Sequence, residues 1–246
     1  MTNDYEGRVA IVTGGSGGIG RATVERLARD GYAIAVHYAG NRGRAEETAD
    51  AARALGGRAI VVGGDVADEH EMAAMFDEVE REFGGVDVVV NTAGIMVLGP
   101  VAEFDLADLD RMHRTNIRGS FVLAQLAAKR LRAGGALVNF STSVTRTQFP
   151  TYAPYAASKA AVETLTLTLA RELRGKDITV NAVAPGPTAT PLFLDGKTDE
   201  EIDRLTHAVP LDRLGQPEDI AEVVAFLAGP ARWVNGQVIF ANGGLA

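Results

Sequence analysis

The sequence predicts one α/β domain in which helices cover both faces of a doubly wound parallel sheet. Short runs rich in β-branched residues alternate with longer helical patterns along the whole chain, as in a parallel sheet with crossover helices. Apolar residues make up 46% of the chain, which is ample for a large core. Since no linker, shift in composition or solenoid-like repeat marks a second domain, we expect residues 1–246 to form a single one.

Apolar runs that end in glycine or polar residues predict the strands in chain order. They cover residues 8–14, 32–38, 58–66, 86–94, 135–143, 177–186 and 236–244. Apolar residues at helical spacing predict helices between them, and glycines such as Gly31 mark helix ends. The clearest helical patterns cover residues 19–31, 43–57, 68–85 and 155–175. Prolines and charges interrupt this rhythm in residues 188–215, which predicts either a substrate lid or a surface excursion.

Charge and composition exclude several classes of partner. The chain has 32 acidic and 24 basic residues, and its net charge of −8 disfavours nucleic acid or an anionic membrane as the main partner. It contains no cysteine, and its four histidines show no metal-ligand spacing, so we expect neither thiolate chemistry nor a metal site. Without a secretory-signal pattern or a membrane-length apolar run, the prediction is a soluble, cytoplasmic protein.

The first strand and the first helix are joined by the glycine-rich turn TGGSGGIG, residues 13–20. Such a turn directs free backbone N–H groups and a helix N-terminus at one point, where a pyrophosphate binds well. The stretch fits the spacing G-x-G-x-x-G, and it equally fits T-G-x-x-x-G-x-G through Gly14, Gly18 and Gly20. The turn therefore predicts a dinucleotide site.

The end of the second strand bears on the choice of dinucleotide. A carboxylate about twenty residues beyond the glycines would bind the ribose 2′-hydroxyl of NAD. None is present in this stretch, which offers His37, Tyr38, Asn41, Arg42 and Arg44. A guanidinium suits a 2′-phosphate, so NADP(H) is preferred and NAD(H) remains possible. The alternative is that the two arginines only begin a solvated helix.

Tyr155 and Lys159 are four residues apart in a predicted helix, so they project from the same face. A nearby ammonium favours phenolate and lowers the tyrosine pKa from its ordinary value of about 10. Such a tyrosine can act as a general acid or base on a carbonyl/alcohol pair. The alternative is a packed tyrosine beside a lysine whose ammonium reaches solvent.

In this order and spacing the motifs resemble those of the short-chain dehydrogenase/reductase family, nearly from end to end, which implies a Rossmann-type fold. The family's N-N-A-G motif reads NTAG here, with Thr92 as a departure. Together, the glycine turn, the end of the second strand and the resemblance predict these cofactor-binding residues: Gly14, Ser16, Gly18, Ile19, Gly20, Tyr38, Asn41, Arg42, Asp65, Val66, Asn91, Ala93, Gly94, Tyr155, Lys159, Pro185, Gly186, Thr188 and Thr190.

The same resemblance implies roles for the catalytic residues. Tyr155 would be the acid in reduction and the base in oxidation, Lys159 would hold the nicotinamide ribose and depress the Tyr155 pKa, and Asn116 would support a proton-relay water. The family's serine commonly lies thirteen residues before its tyrosine, a position that Thr142 occupies here. Thr142 can donate the same hydrogen bond, but its methyl group crowds the site, so Ser143 is slightly preferred and both stay candidates.

Within the family, the sequence is similar to the branch of 3-oxoacyl-[acyl-carrier-protein] reductases. This implies a small-molecule ketone substrate reduced to a secondary alcohol, in apolar surroundings formed by Met96, Val144, Phe149, Tyr152 and Phe193. A carrier-protein partner would need a basic entrance, for which the candidates are Arg114, Arg118, Lys129 and Arg130.

Two other functions remain open on sequence grounds. One is an NAD-linked alcohol or sugar dehydrogenase, and the other is a non-catalytic NADP-binding sensor on the same fold. The family usually forms tetramers through the helix that bears the tyrosine, the helix before it and the C-terminal strand. The resemblance therefore implies a homotetramer.

Overall fold

Seven strands form one parallel sheet in the computed structural model, which describes residues 7–246. The strands are β1 (Val9–Thr13), β2 (Ala33–Tyr38), β3 (Ala59–Gly63), β4 (Val86–Asn91), β5 (Leu131–Phe140), β6 (Thr179–Pro185) and β7 (Val238–Ala241). Their order across the sheet is β3-β2-β1-β4-β5-β6-β7, and every neighbouring pair is parallel. The order reverses between β1 and β4, which is the switch point where open α/β sheets bind ligands.

Helices cover both faces of this sheet, which confirms the predicted fold class. The α-helices are α1 (Gly18–Arg29), α2 (Arg42–Ala54), α3 (Glu69–Phe83), α4 (Leu106–His113), α5 (Gly119–Arg130), α6 (Val144–Thr147), α7 (Ala153–Glu172), α8 (Pro191–Leu194), α9 (Asp199–His207) and α10 (Pro217–Ala228). Helices α1, α2 and α10 enclose one core with the sheet, and α3, α5 and α7 enclose the other. No helix within residues 7–246 is both long enough and apolar enough to cross a membrane.

Strand β1 shows why the strands read as unbroken apolar runs. Ala10 and Val12 belong to the core under α1 and α2, whereas Val9 and Ile11 belong to the core on the opposite face. All four side chains are buried. A parallel strand with helices on both faces needs apolar residues at every position, so its sequence loses the polar–apolar alternation of a half-exposed strand.

The irregular segment of residues 188–215 leaves the sheet after β6 and carries α8 and α9. Its two ends pair with each other, because Ala189 N donates to Gly215 O at 2.8 Å and Gly215 N donates to Pro187 O at 2.8 Å. A capping box between Thr198 and Glu201 begins α9. The segment is therefore an ordered excursion with a closed base.

Candidate active site

A cavity of about 300 Å³ opens at the carboxyl ends of the central strands, beside the switch point between β1 and β4. Of the predicted cofactor-binding residues, its wall includes Gly14, Gly18, Ile19, Gly20, Ala93, Gly94, Tyr155, Lys159, Pro185, Gly186, Thr188 and Thr190. The others lie outside this wall and are Ser16, Tyr38, Asn41, Arg42, Asp65, Val66 and Asn91. The fold thus brings the glycine turn, the Tyr–Lys pair and the turn after β6 to one place.

The glycine turn needs its glycines for backbone conformation and for space. Gly14 and Gly18 have φ values of 64° and 52°, in the left-handed region that favours glycine. A Cβ on Gly20 would collide with the carbonyl oxygen of Gly14. The turn therefore leaves its backbone open to close approach at the N-terminus of α1, as a dinucleotide pyrophosphate requires.

Thr92, the departure from the family's N-N-A-G motif, is part of this turn. Its hydroxyl donates to the carbonyl oxygen of Thr13, and its Oγ1 lies 3.0 Å from the position of a Cβ on Gly14. The residue therefore ties the end of β4 to the glycine turn. Sequence comparison with the family motif marked the position as unusual but did not indicate this contact.

Arg44 is the basic residue after β2 that reaches the cavity. A Cβ on Gly17 would collide with Nη2 of Arg44, so the guanidinium lies directly against the glycine turn. Arg42 instead pairs with Glu46 and its side chain is 72% exposed. Asn41 accepts a hydrogen bond from Arg44 N at 3.0 Å and thereby caps α2. The N-cap thus places Arg44 in the first helical turn, facing α1.

Two neighbours of this region have structural roles. Tyr38 packs against Gly63, with its hydroxyl 3.0 Å from the position of a Cβ there. His37 is buried in β2, and burial lowers its pKa to about 4 even though Nε2 lies 2.9 Å from the carbonyl oxygen of Gly64. Its Nδ1 has no hydrogen-bond partner within residues 7–246. His37 is therefore neutral in the folded protein at neutral pH.

Asp65 and Val66 follow β3 at the same edge of the sheet. The Asp65 carboxylate pairs with Arg114. Partial burial opposes ionisation of Asp65, but the hydrogen bonds from Ala67 N and Arg114 outweigh it and hold the pKa of this carboxyl below its ordinary value. Val66 packs on Gly119, where a Cβ would lie 2.7 Å from Val66 Cγ2.

Asn91 joins three elements below the cavity. Its Oδ1 accepts from the hydroxyl of Thr13 at 3.1 Å, and its Nδ2 donates to Ser120 Oγ at 3.0 Å. All three residues are buried. Asn91 thus holds the end of β4 to β1 and to α5, and it lies behind the NTAG residues that line the cavity.

Tyr155 and Lys159 project from α7 into the cavity, and both are buried. The ammonium of Lys159 lies 5.8 Å from the centroid of the Tyr155 ring and donates to the carbonyl oxygen of Phe140 at 3.0 Å. Burial raises the pKa of Tyr155 to about 12, although its hydrogen bond with the Thr142 hydroxyl lowers that pKa in part. Burial also lowers the pKa of Lys159 to about 8.

The predicted depression of the Tyr155 pKa by Lys159 is therefore wrong for this structure. Loss of hydration is the largest cause of both shifts, and it disfavours the phenolate of Tyr155 and the ammonium of Lys159 alike. Sequence spacing correctly placed the two side chains on one face, but it carries no information about how deeply that face is buried.

Asn116 lies in a π-helix, Arg114–Arg118, between α4 and α5. Its Oδ1 accepts from Ile95 N at 2.9 Å, and its Nδ2 donates to Ile95 O at 2.9 Å and Ser158 Oγ at 3.0 Å. Asn116 Oδ1 and Lys159 Nζ lie 3.2 and 3.3 Å from the position of a Cβ on Gly94. The π-helix therefore brings Asn116, which lies behind the cavity wall, close to Lys159, which is part of that wall.

Three consecutive hydroxyl residues after β5 point to different partners. The Ser141 hydroxyl donates to Glu163, and the Ser143 hydroxyl lies 3.4 Å from the carbonyl oxygen of Ala184. The Thr142 hydroxyl accepts from Val144 N at 3.3 Å, and it is the one of the three that lies close enough to the Tyr155 hydroxyl to lower its pKa. This geometry favours Thr142 over Ser143, against the slight preference drawn from the sequence.

The turn after β6 closes the cavity from the other side. A Cβ on Gly186 would lie 2.7 Å from the Cα of Asn242, so this position has room only for glycine. The Thr188 hydroxyl donates to Gly186 O at 2.9 Å. Thr190 caps α8, and its Cγ2 lies 3.3 Å from the position of a Cβ on Gly18. The segment of residues 188–215 thus begins against the glycine turn.

The remaining wall of the cavity is mainly apolar. Its side chains are Met96, Val144, Phe149, Tyr152, Leu192, Phe193, Leu205 and Leu245. Phe149 and Tyr152 meet edge to face, with ring centroids 6.2 Å apart. All five residues predicted to surround a substrate are in this set.

The arginines considered as a carrier-protein entrance are already paired. Arg114 pairs with Asp65, Arg118 with Glu69, and Arg130 with both Asp77 and Glu80. Each guanidinium therefore faces a carboxylate of this chain, and the three do not form an uncompensated basic patch.

Comparison with known proteins gives consistent matches along the chain. A family model described as enoyl-(acyl carrier protein) reductase matches residues 14–246. A short-chain type dehydrogenase/reductase from Picea abies is 43% identical, covering 97% of this chain and 92% of that protein. An Arabidopsis thaliana NADPH-dependent aldehyde reductase-like protein, chloroplastic, is 42% identical, covering 97% and 94%.

Two further matches concern the branch and the cofactor. A 3-oxoacyl-[acyl-carrier-protein] reductase from Staphylococcus aureus is 40% identical, covering 96% of this chain and 97% of that protein. A crystal structure of a short chain dehydrogenase from Burkholderia cenocepacia in complex with NADP superposes with a TM-score of 0.92 at 37% identity, covering 98% of each chain.

Proposed function

This chain belongs to the short-chain dehydrogenase/reductase family, and on that basis we propose that it reduces an apolar ketone to a secondary alcohol with NADPH. The observation that carries the proposal is the cluster of Tyr155, Thr142 and Lys159, buried together in the cavity that the glycine turn opens into. This cluster places a proton donor, a second hydroxyl and a cation around one point, as reduction of a carbonyl requires.

The residues of the cavity fit a dinucleotide. The turn with Gly14, Gly18 and Gly20 is a cradle that side chains would fill, and it lies at the N-terminus of α1. NADPH, when bound, supplies the hydride. Arg44 at the edge of this turn offers a cation for a 2′-phosphate, and residues 37–44 contain no carboxylate to bind a 2′-hydroxyl. The complexes of relatives with NADP support the same preference.

Each catalytic residue then has a role that follows from its surroundings. With a pKa of about 12, Tyr155 is protonated at neutral pH and can donate its proton to the developing alkoxide. Thr142 donates a second hydrogen bond to the same oxygen, since it already lies at the Tyr155 hydroxyl. Lys159 and Asn116 lie side by side at Gly94, where they can hold the nicotinamide ribose and a water that returns the proton.

The relatives named as reductases support reduction as the direction. An NAD-linked dehydrogenase is the weaker alternative, because Arg44 lies against the glycine turn and residues 37–44 contain no carboxylate that would bind a 2′-hydroxyl. A non-catalytic sensor is weaker still, because both Tyr155 and Lys159 are present and reach the cavity.

The substrate we propose is a free apolar ketone. The wall formed by Met96, Phe149, Tyr152 and Phe193 offers apolar contact. A ketone attached to an acyl carrier protein is less favoured, because the arginines near the expected entrance are paired with carboxylates. The segment of residues 188–215 contributes to the wall and is proposed to act as the lid.

Replacement of Tyr155 by phenylalanine tests the function. We expect wild type to oxidise NADPH with members of a panel of apolar ketones and diketones, followed by absorbance. Tyr155→Phe should bind NADPH with unchanged affinity, by fluorescence titration, and lose about 10²–10⁴-fold in turnover, the range for a general acid. Near-normal turnover in this variant would exclude Tyr155 as the acid, and failure of wild type on the whole panel would exclude the function.

A homotetramer in the cytoplasm completes the proposal. Phe121 on α5 and Leu167 on α7 are large apolar side chains that are 48% and 41% exposed. They lie on the helices through which the family commonly associates, and burial against a second copy would remove them from water. Light scattering should give four times the chain mass, and a monomeric mass would exclude this assembly.

A further inference from the structure

Glu163 lies on α7 one turn after Lys159, and its carboxylate faces the loop between β5 and α6. Its Oε1 accepts a hydrogen bond from the hydroxyl of Ser141 and lies 2.9 Å from the hydroxyl of Thr145. The carboxylate is thus occupied by two side chains that flank Thr142 in the sequence. It does not line the cavity, so it has no part in the chemistry described above.

The opposite side of this loop is held by β6. Ser141 N donates to Val183 O at 2.8 Å, and Ser143 N donates to Pro185 O at 2.9 Å. The Ser143 hydroxyl also lies 3.4 Å from the carbonyl oxygen of Ala184. Although both serines line the cavity, their hydroxyls are therefore committed to Glu163 and Ala184, which do not.

This arrangement decides which of three consecutive hydroxyls meets Tyr155. The Ser141 side chain is directed to α7 by Glu163, and the Ser143 side chain is directed to β6, so Thr142 between them is turned towards Tyr155. Because Glu163 and Tyr155 lie on one helix, two turns apart, the carboxylate fixes the loop relative to the tyrosine.

We propose that Glu163 is a positioning residue that holds residues 141–145, the loop and the start of α6, so that Thr142, and not Ser143, acts with Tyr155. The role rests on the proposed reductase function. It requires a hydrogen-bond acceptor at Oε1 and not a negative charge as such. An ordered donor matters because a displacement of about 1 Å in a catalytic group can cost about 10²-fold in rate.

The kinetic test compares Glu163→Ala with Glu163→Gln, which keeps an acceptor oxygen. We expect Glu163→Ala to lower kcat about ten- to hundredfold with the KM for NADPH unchanged, and Glu163→Gln to recover most of the loss. The matched control is Glu172→Ala, which removes an exposed carboxylate from the same helix and should change nothing. Equal losses in the Gln and Ala variants would overturn the role as an acceptor.

A double variant separates positioning from a general effect on folding. If Glu163 acts through Thr142, Thr142→Ala combined with Glu163→Ala should be no slower than Thr142→Ala alone. Additive losses would overturn the proposal, because they would mean that Glu163 acts by another route.

Hydrogen exchange gives a readout that does not need turnover. The amides of Ser141 and Ser143 are bonded to β6, and we expect their peptide to exchange faster in Glu163→Ala but not in Glu163→Gln. If these amides exchange at the wild-type rate in Glu163→Ala, Glu163 does not hold the loop. If Glu163→Ala exchanges faster but wild type reduces no ketone, Glu163 still holds the loop, and the reductase function is rejected.

Discussion

Gly17→Ala provides the sharpest test of how the protein selects its dinucleotide. Gly17 has φ 179° and ψ 172°, an extended conformation that alanine adopts without strain, so conformation alone does not require glycine here. A Cβ at this position would collide with Nη2 of Arg44 and lie 3.3 Å from its Cζ. Because the guanidinium is the end of a flexible side chain, we expect it to move away while the turn stays in place.

The magnitude follows from the interaction that would be lost. A hydrogen bond between charged partners contributes about 1.5–3 kcal/mol, and 1.4 kcal/mol corresponds to a tenfold change in affinity. Gly17→Ala should therefore weaken NADPH binding by about ten- to hundredfold and leave NADH binding unchanged. Gly17 is also the N-cap of α1, where alanine is less favourable than glycine, so a small loss of stability is expected as well.

The assay is fluorescence titration with NADPH and NADH of wild type, Gly17→Ala, Arg44→Gln and the double variant. Arg44→Gln should reproduce the loss, and the double variant should be no worse than either single one. The matched control is Arg42→Gln, which removes an exposed guanidinium paired with Glu46 and should have little effect. Equal weakening of NADH and NADPH by Gly17→Ala, or a larger effect of Arg42→Gln, would refute the assignment to Arg44.

Three other substitutions test separate parts of the site. Thr142→Ala should lower turnover about 10²-fold, the loss typical of removing one donor to a developing oxyanion, while Ser143→Ala should change turnover little. Steady-state kinetics measures both variants, and the reverse order would contradict the assignment of Thr142. Thr92→Val removes the bond to the glycine turn and should weaken NADPH and NADH alike, by up to about tenfold in titrations. Between pH 6.5 and about 4, His37 is protonated in the unfolded chain but neutral in the folded protein, so the folded protein loses about 3 kcal/mol of stability as pH falls through this window. His37→Gln should flatten that part of a profile of unfolding free energy against pH.

The fold followed from the sequence because its signals are local and repeated. Each strand is an apolar run with a helical pattern after it, and that order leaves few arrangements other than a parallel sheet with covered faces. The glycine turn and the pair of Tyr155 and Lys159 were equally visible, since spacing alone places backbone N–H groups at a helix end and two side chains on one helix face.

The details that the sequence did not predict all depend on packing. Arg42 and Arg44 are alike in composition, and only the packing of α2 beside α1 directs one of them to the cavity. Thr142 and Ser143 are adjacent hydroxyls whose directions depend on contacts with Glu163 and β6, from distant parts of the chain. The pKa of Tyr155 depends on burial, which no spacing encodes.

The pairing of backbone at Thr188 and Gly215 has a consequence for how this protein can be altered. Both termini of the excursion are fastened to one spot beside β6, so changes in its length or composition need not disturb the sheet or α7. Replacing the interior of this segment with that of a homologue should change which substrates are accepted. Proton transfer from Tyr155 should not change. Residues 188–215 can therefore be replaced, in evolution or by protein engineering, as one unit.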